Sequence, residues 1–164
     1  MPIFFWKTSE QPYGMFSQWY LSKIKYNDIT FNCCEQFMMY FKAMLFNDKE
    51  TAQMILAETS PRKQKSLGRR VKGFNEAKWS NFKESIVYNA NIAKFSQNSR
   101  LRDLLLSTGN EELCEASPYD TIWGIGITEN EAKNGKPWRG QNLLGKALMY
   151  VRNNLRKDLN KNDN

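Results

Sequence analysis

No histidine occurs anywhere in the 164 residues. That absence removes Ser-His-Asp and Cys-His catalysis, the usual zinc hydrolase sites and imidazole acid/base work in one step. Any proton transfer near neutral pH then falls to carboxylates. Cysteine is scarce: Cys33 and Cys34 are adjacent and Cys114 is far away. This makes neither a disulfide framework nor a zinc-ligand spacing, and it points to a reducing cytoplasm. Long apolar runs are also missing. Stretches such as Met1 to Trp6 and Ile122 to Ile127 fall far short of the ~20 residues that span a bilayer. No basic region precedes an apolar stretch at the N-terminus, so neither a membrane span nor a secretory signal is expected. A Gly-rich phosphate loop of the Walker kind is absent, because Gly68 is followed by Arg69-Arg70 and Gly145-Lys146 lacks both the upstream glycine and the following Ser or Thr. ATP hydrolysis is not expected.

What is present suits one soluble folded domain: 41% of residues are apolar and 25% charged. The net charge of +7 suits an anionic partner. Arg62, Lys63, Lys65, Arg69, Arg70 and Lys72 form a run with no acidic residue between them, a candidate for holding phosphate. The end of the chain from Arg152 mixes basic, acidic and Asn residues and reads as a solvated helix end and frayed terminus. We expect one domain over residues 1–158 and a polar, flexible tail over 159–164.

The first 33 residues read as a small sheet with loops, since β-favouring Phe4, Phe5, Ile29 and Phe31 are broken by Pro12, Gly14 and Asn27-Asp28. From Cys34 the period changes: Cys34, Phe37, Met38, Phe41 and Leu45 fill one helical face. Asp48 can cap a helix from Lys49 to Glu58, and Ser60-Pro61 can start another that ends at Gly68. Phe82, Ile86, Ala90 and Ala93 repeat at helical spacing, and Leu101, Leu104 and Leu105 continue after a break at Gln97-Asn98-Ser99. Glu111 to Ala116 and Ile122 to Ile127 read as short strands about a turn at 117–120, although Gly124 and Gly126 weaken the second. Thr128 and Glu131 have capping-box spacing, with Asn134-Gly135 closing that helix. Leu144, Leu148, Val151, Leu155 and Leu159 form the stripe of a final helix.

Two acids stand in unusual settings. Glu35 opens an aromatic- and Met-rich helix, where burial raises a carboxylate's proton affinity. Asp120 follows Ser117-Pro118-Tyr119 and precedes Trp123-Gly124, and a glycine beside a Trp lets a flat ligand approach the backbone. Asp120 fits equally well as an Asx-turn residue. Lys42 lies seven residues after Glu35, on the same helical face and ~10.5 Å along the axis. That separation suits a carboxylate at a sugar and an ammonium at its phosphate, although an acid and a base on one polar face are common. The five tryptophans offer indole faces for stacking bases, each more often core than platform. Arg69-Arg70 can offer one guanidinium to a phosphate.

Together these pieces resemble the YbiA-like, or NADAR, family of N-glycosidases. The resemblance runs through Cys34-Glu35-Gln36-Phe37-Met38-Met39-Tyr40-Phe41-Lys42-Ala43, Lys65-Ser66-Leu67-Gly68-Arg69-Arg70-Val71, Trp79, Lys94-Phe95-Ser96-Gln97-Asn98 and Leu104 to Gly109. It continues from Leu113 to Gly126 and through Trp138-Arg139-Gly140-Gln141-Asn142-Leu143-Leu144-Gly145-Lys146-Ala147-Leu148-Met149, covering nearly the whole chain in order. It implies a compact, helix-rich α+β domain with a small β-sheet and a pocket for a ribose phosphate and its base. Family members are associated with cleaving phosphoribosylamino-pyrimidine intermediates of riboflavin synthesis, others with removing ADP-ribose from guanine in nucleic acid. By matching position, Glu35 and Asp120 are the implied acids and Trp79 and Trp123 the aromatic walls. Lys42, Arg69, Gly124 and Asn142 are further binding candidates.

Breaking a C1′–N bond builds positive charge on the ribose and negative charge on the departing base, and two carboxylates in unlike environments can divide that work. The expectation is Glu35 near C1′ with Asp120 fixing sugar hydroxyls or base, and the reverse assignment fits the same acids. The sequence requires no metal and no cofactor. The rival readings are a non-catalytic module that binds ADP-ribose or nucleic-acid ends, and a general nucleic-acid binder.

Overall fold

A computed structural model describes residues 1–163. The element order is β1 (Ile3–Phe5), a 3-10 turn (Tyr13–Phe16), β2 (Ile24–Tyr26), β3 (Ile29–Phe31), α1 (Cys34–Leu45), α2 (Lys49–Ala57), α3 (Pro61–Gly68), α4 (Glu76–Gln97), α5 (Ser99–Ser107), β4 (Leu113–Glu115), α6 (Glu129–Lys133) and α7 (Leu143–Asn162). The architecture is therefore helix-rich α+β, as expected. Its contacts divide the chain into two compact units, one of residues 18–97 and one assembled from both ends, 1–17 and 98–164.

In the unit of residues 18–97, β2 and β3 form an antiparallel hairpin with Ile24 opposite Phe31. Asn27 and Asp28 both take positive φ, 48° and 64°, as a two-residue turn between twisted strands requires. Helices α2, α3 and α4 all pack against α1. Their starts follow from side-chain chemistry: Asp48 accepts from the Thr51 amide (3.1 Å) and Ser60 from the Lys63 amide (3.4 Å). Each satisfies an amide that the first helical turn leaves unpaired. Phe31 and Phe37 pack with ring centres 4.9 Å apart, and Tyr26 stands 5.1 Å from Phe37. The stripe expected on α4 holds at Ala90 and Ala93, which are buried, but not at its first position. Phe82 is 44% exposed, whereas Trp79, Val87, Ala90, Asn91, Lys94 and Phe95 face inward.

In the other unit, β1 pairs in parallel with β4, Ile3 opposite Leu113. The small sheet is thus two separate ladders, and the first strand joins one more than a hundred positions away. The second strand expected at 122–127 does not form. Carbonyls of this segment instead accept amides of 139–144, including Asn142 onto Gly124 (3.0 Å) and Leu144 onto Trp123 (3.1 Å). Gly126, at φ 75°, holds a backbone conformation no strand uses. The capping box of Thr128 and Glu131 does form, and α7 buries Leu144, Leu148, Val151 and Leu155. Helix α7 runs on to Asn162, so most of the expected tail is helical, and Asn164 lies outside the described residues. Among the described residues, no helix is long and apolar enough to cross a membrane.

Candidate active site

Glu35, Lys42, Arg69 and Trp79 all fall in the unit of residues 18–97. Glu35 occupies the first turn of α1, where a carboxylate is favoured by the helix dipole, and it is only 4% exposed. That turn is braced on several sides. The Glu35 amide donates to the Gln18 carbonyl (3.0 Å), while Gln18 also accepts from Asn91 on α4 (3.0 Å). Two residues before Glu35, the Cys33 sulfur caps the helix by accepting from the Gln36 amide (3.4 Å), and its thiol donates to Gln64 (3.2 Å). The Gln36 amide group donates to the carbonyls of Ile55 and Glu58, both at 3.1 Å. Cys33 and Cys34 stay protonated, because burial pushes their thiols up to about 12 and about 11.

Two turns along α1, Lys42 is half-buried. Its pKa is lowered chiefly by loss of solvent and further by Arg69, while Glu35 and Glu76 pull it back up. Lys42 therefore shares an electrostatic neighbourhood with Glu35, as the seven-residue spacing predicts, and with Arg69, which the spacing does not predict. Arg69 is exposed at the end of α3. Of the basic run from Arg62 to Lys72, Arg69 is the member that acts on Lys42. The Lys42 ammonium lies over two rings, 4.8 Å from the centre of Phe74 and 5.6 Å from that of Trp79. Trp79 is 9% exposed, so it lies near the core with Lys42 against it. Lys94, which the sequence reading left without a role, is fully buried, with its ammonium over the Tyr20 (5.6 Å) and Phe95 (5.1 Å) rings. Burial lowers its pKa, and Cys34 partly offsets this. A lysine inside the inward stripe of α4 was the available signal.

Asp120, Trp123, Gly124 and Asn142 fall in the other unit. One Asp120 oxygen accepts the amides of Ile122 (2.9 Å) and Trp123 (2.8 Å), the Asx-turn arrangement. A Cβ at Gly124 would come within 2.9 Å of the Glu115 carbonyl and 3.0 Å of the Asp120 carbonyl. The close approach this glycine permits is thus to the protein's own backbone. Asn142 adopts the left-handed conformation at φ 53° and joins β4 to α7. Its carbonyl accepts from the Glu115 amide (3.0 Å) and its NH₂ donates to the Leu113 carbonyl (2.9 Å).

A cleft of about 520 Å³ in this unit is lined by Trp6, Lys7, Glu10, Thr128 and Lys133 among others. Another of about 450 Å³, in residues 18–97, is lined by Leu21, Phe31, Gln36 and Leu56 among others. None of the candidate residues lines either cleft. Among the described residues no cluster of three metal-ligating side chains forms.

A model of the NADAR domain matches residues 4–156. The chain is 43% identical over 161 residues to an N-glycosidase of Acanthamoeba polyphaga mimivirus, a match covering 92% of this chain and 94% of that protein. It is 34% identical over 156 residues to an N-glycosidase of Nostoc punctiforme, covering 95% and 94% respectively. The NMR structure of YbiA from Escherichia coli matches with a TM-score of 0.79 at 30% identity, covering 95% of this chain and 85% of that one.

Proposed function

The chain belongs to the NADAR family, and from that premise we propose that it is an N-glycosidase hydrolysing the bond between a phosphorylated ribose and a base. The observation that carries this is the convergence around Lys42: a buried carboxylate, Glu35, on the same helix, and a second cation, Arg69, close enough to lower the lysine's pKa. Two cations held together repel, and an anion between them relieves that repulsion. A phosphate held by Lys42 and Arg69 leaves Glu35, about two helical turns away, to face the sugar.

As the C1′–N bond lengthens, the Glu35 carboxylate stabilises the oxocarbenium-like ribose and orients water for attack at C1′. The departing base takes up a proton, and the water loses one as the new C1′–O bond forms. Arg69 beside Lys42, as part of a run of basic residues in the sequence, supports a polyanionic substrate, ADP-ribose on guanine in nucleic acid, over a small phosphoribosylamino-pyrimidine. Three buried free thiols fit a reducing compartment, and we place the reaction in the cytoplasm.

The test is base release by the wild-type protein and Glu35→Gln, each offered ADP-ribosylated guanine DNA and a phosphoribosylamino-pyrimidine. Turnover that falls roughly 10²- to 10⁴-fold in the variant, with folding retained, is the expected result. Full activity in Glu35→Gln removes Glu35 from the chemistry, and tight binding without turnover makes the protein a binding module.

A further inference from the structure

Phe74 is 43% exposed and is set by the turn that precedes α4. It lies between Gly73, at φ 77°, and Asn75, whose side chain accepts from the Lys78 amide (2.9 Å) at the start of α4. The glycine supplies a turn that other residues rarely adopt, and the Asn75 contact fixes where the helix begins. Phe74 and Trp79 are thereby presented on either side of that start. Phe46, one helical turn after Lys42, braces Phe74 with ring centres 5.4 Å apart. The Lys42 ammonium is within 6 Å of both the Phe74 and Trp79 ring centres, inside the range where an aromatic face attracts a cation, and the attraction strengthens as water is excluded.

We propose that Phe74 is a positioning residue: together with Trp79 it forms a two-ring cradle that holds the Lys42 ammonium in place. A lysine stem has four rotatable carbons and a high conformational entropy, so an unsupported ammonium would be spread over many positions. The cradle narrows that distribution before an anion arrives. It also counters the groups that disfavour the charge. The charged groups acting on Lys42 are Glu35 from its own helix, Arg69 from the end of α3 and Glu76 from α4. The two carboxylates support the ammonium, while Arg69 and the loss of solvent oppose it. Phe74 and Trp79 add attraction without adding a charge that would compete with phosphate. The consequence for catalysis rests on the reading that Lys42 takes the substrate's phosphate.

Lysine-selective NMR titration, with the Lys42 signal identified by its loss in Lys42→Arg, tests this directly. It is paired with inhibition by ribose 5-phosphate. In Phe74→Leu the Lys42 pKa should fall by about 0.5 to 1 unit and ribose 5-phosphate should bind more weakly, while Phe74→Tyr keeps both near wild type. Because Phe74 is partly exposed, Phe74→Leu should remain folded, which a melting curve checks. An unchanged Lys42 titration in Phe74→Leu overturns the cradle. A lowered pKa with unchanged ribose 5-phosphate inhibition supports the cradle and instead removes Lys42 from phosphate binding.

Discussion

Lys42 places its ammonium 5.6 Å from the centre of the Trp79 ring, so two residues named independently as binding candidates form one group. The finding changes what each does. Trp79 is mostly buried and holds a cation against it, so its substitution should act through Lys42 as much as through any stacked base. Phe74, in a loop with no helical period to mark it, completes the group.

Removal of the Lys42 ammonium should weaken phosphate-bearing substrates and leave bond cleavage largely intact once they are bound. A charge-assisted hydrogen bond contributes about 1.5–3 kcal/mol, roughly 10- to 100-fold in KM. Lys42→Ala should show that rise with kcat within a few-fold, measured against a substrate lacking the phosphate as control. Equal losses on both substrates would place Lys42 outside phosphate recognition.

Asp120 offers a sharper separation of roles. Asn at this position keeps an oxygen for the amides of Ile122 and Trp123 and removes only the charge, whereas Ala removes both. If the carboxylate acts on substrate, Asp120→Asn should lower kcat by about 10²-fold or more with an unchanged melting temperature. Activity within about twofold of wild type would assign Asp120 to the turn alone. Asp120→Ala should lower stability whichever way the kinetics fall, because two amides lose their partner.

Asn142 is assigned here to the join between β4 and α7. Its two hydrogen bonds are buried or half-buried, and leaving such groups unsatisfied costs about 1–3 kcal/mol each. Asn142→Ala and Asn142→Gly both lose those bonds, but only Ala also carries a side chain poorly tolerated at positive φ. Urea unfolding should therefore rank the Gly variant above Ala by about 1 kcal/mol, with wild type above both. A KM effect without a stability loss would instead restore Asn142 as a substrate ligand.

Much of this fold was legible from local chemistry. Asp48, Ser60 and the Thr128–Glu131 pair mark helix starts because capping is decided within four residues. The pairing of Ile3 with Leu113 was not legible, since nothing near either strand names so distant a partner. Residues 122–127 misled for a related reason. Their apolar run resembles a strand, but their carbonyls bond to a loop downstream. Within the candidate site, the shared neighbourhood of Glu35 and Lys42 was readable because α-helical periodicity fixes it. Arg69 and Phe74 reach Lys42 from other segments, which periodicity cannot see.

The buried thiols predict the protein's behaviour in alkali. Burial raises the Cys34 thiol from an ordinary 9.0 to about 11, so the folded state keeps a proton that the unfolded chain releases. Such a group contributes its full stability below the unfolded value and loses it as pH rises through the folded one. Between pH 9 and about 11 Cys34 therefore favours unfolding progressively, and Cys33 and Cys114, raised to about 12, extend the trend. Lys42 and Lys94, with lowered values, work in the opposite direction over the alkaline range, because their folded forms release protons first. Cys34 alone should lower stability by roughly 1 kcal/mol by about pH 10, a few degrees in Tm for a chain of this size. Melting curves from about pH 8 to about pH 10 should fall less steeply in Cys34→Ala than in wild type, whatever the variant's Tm at neutral pH. Parallel slopes would mean that the Cys34 thiol does not resist ionisation in the folded protein.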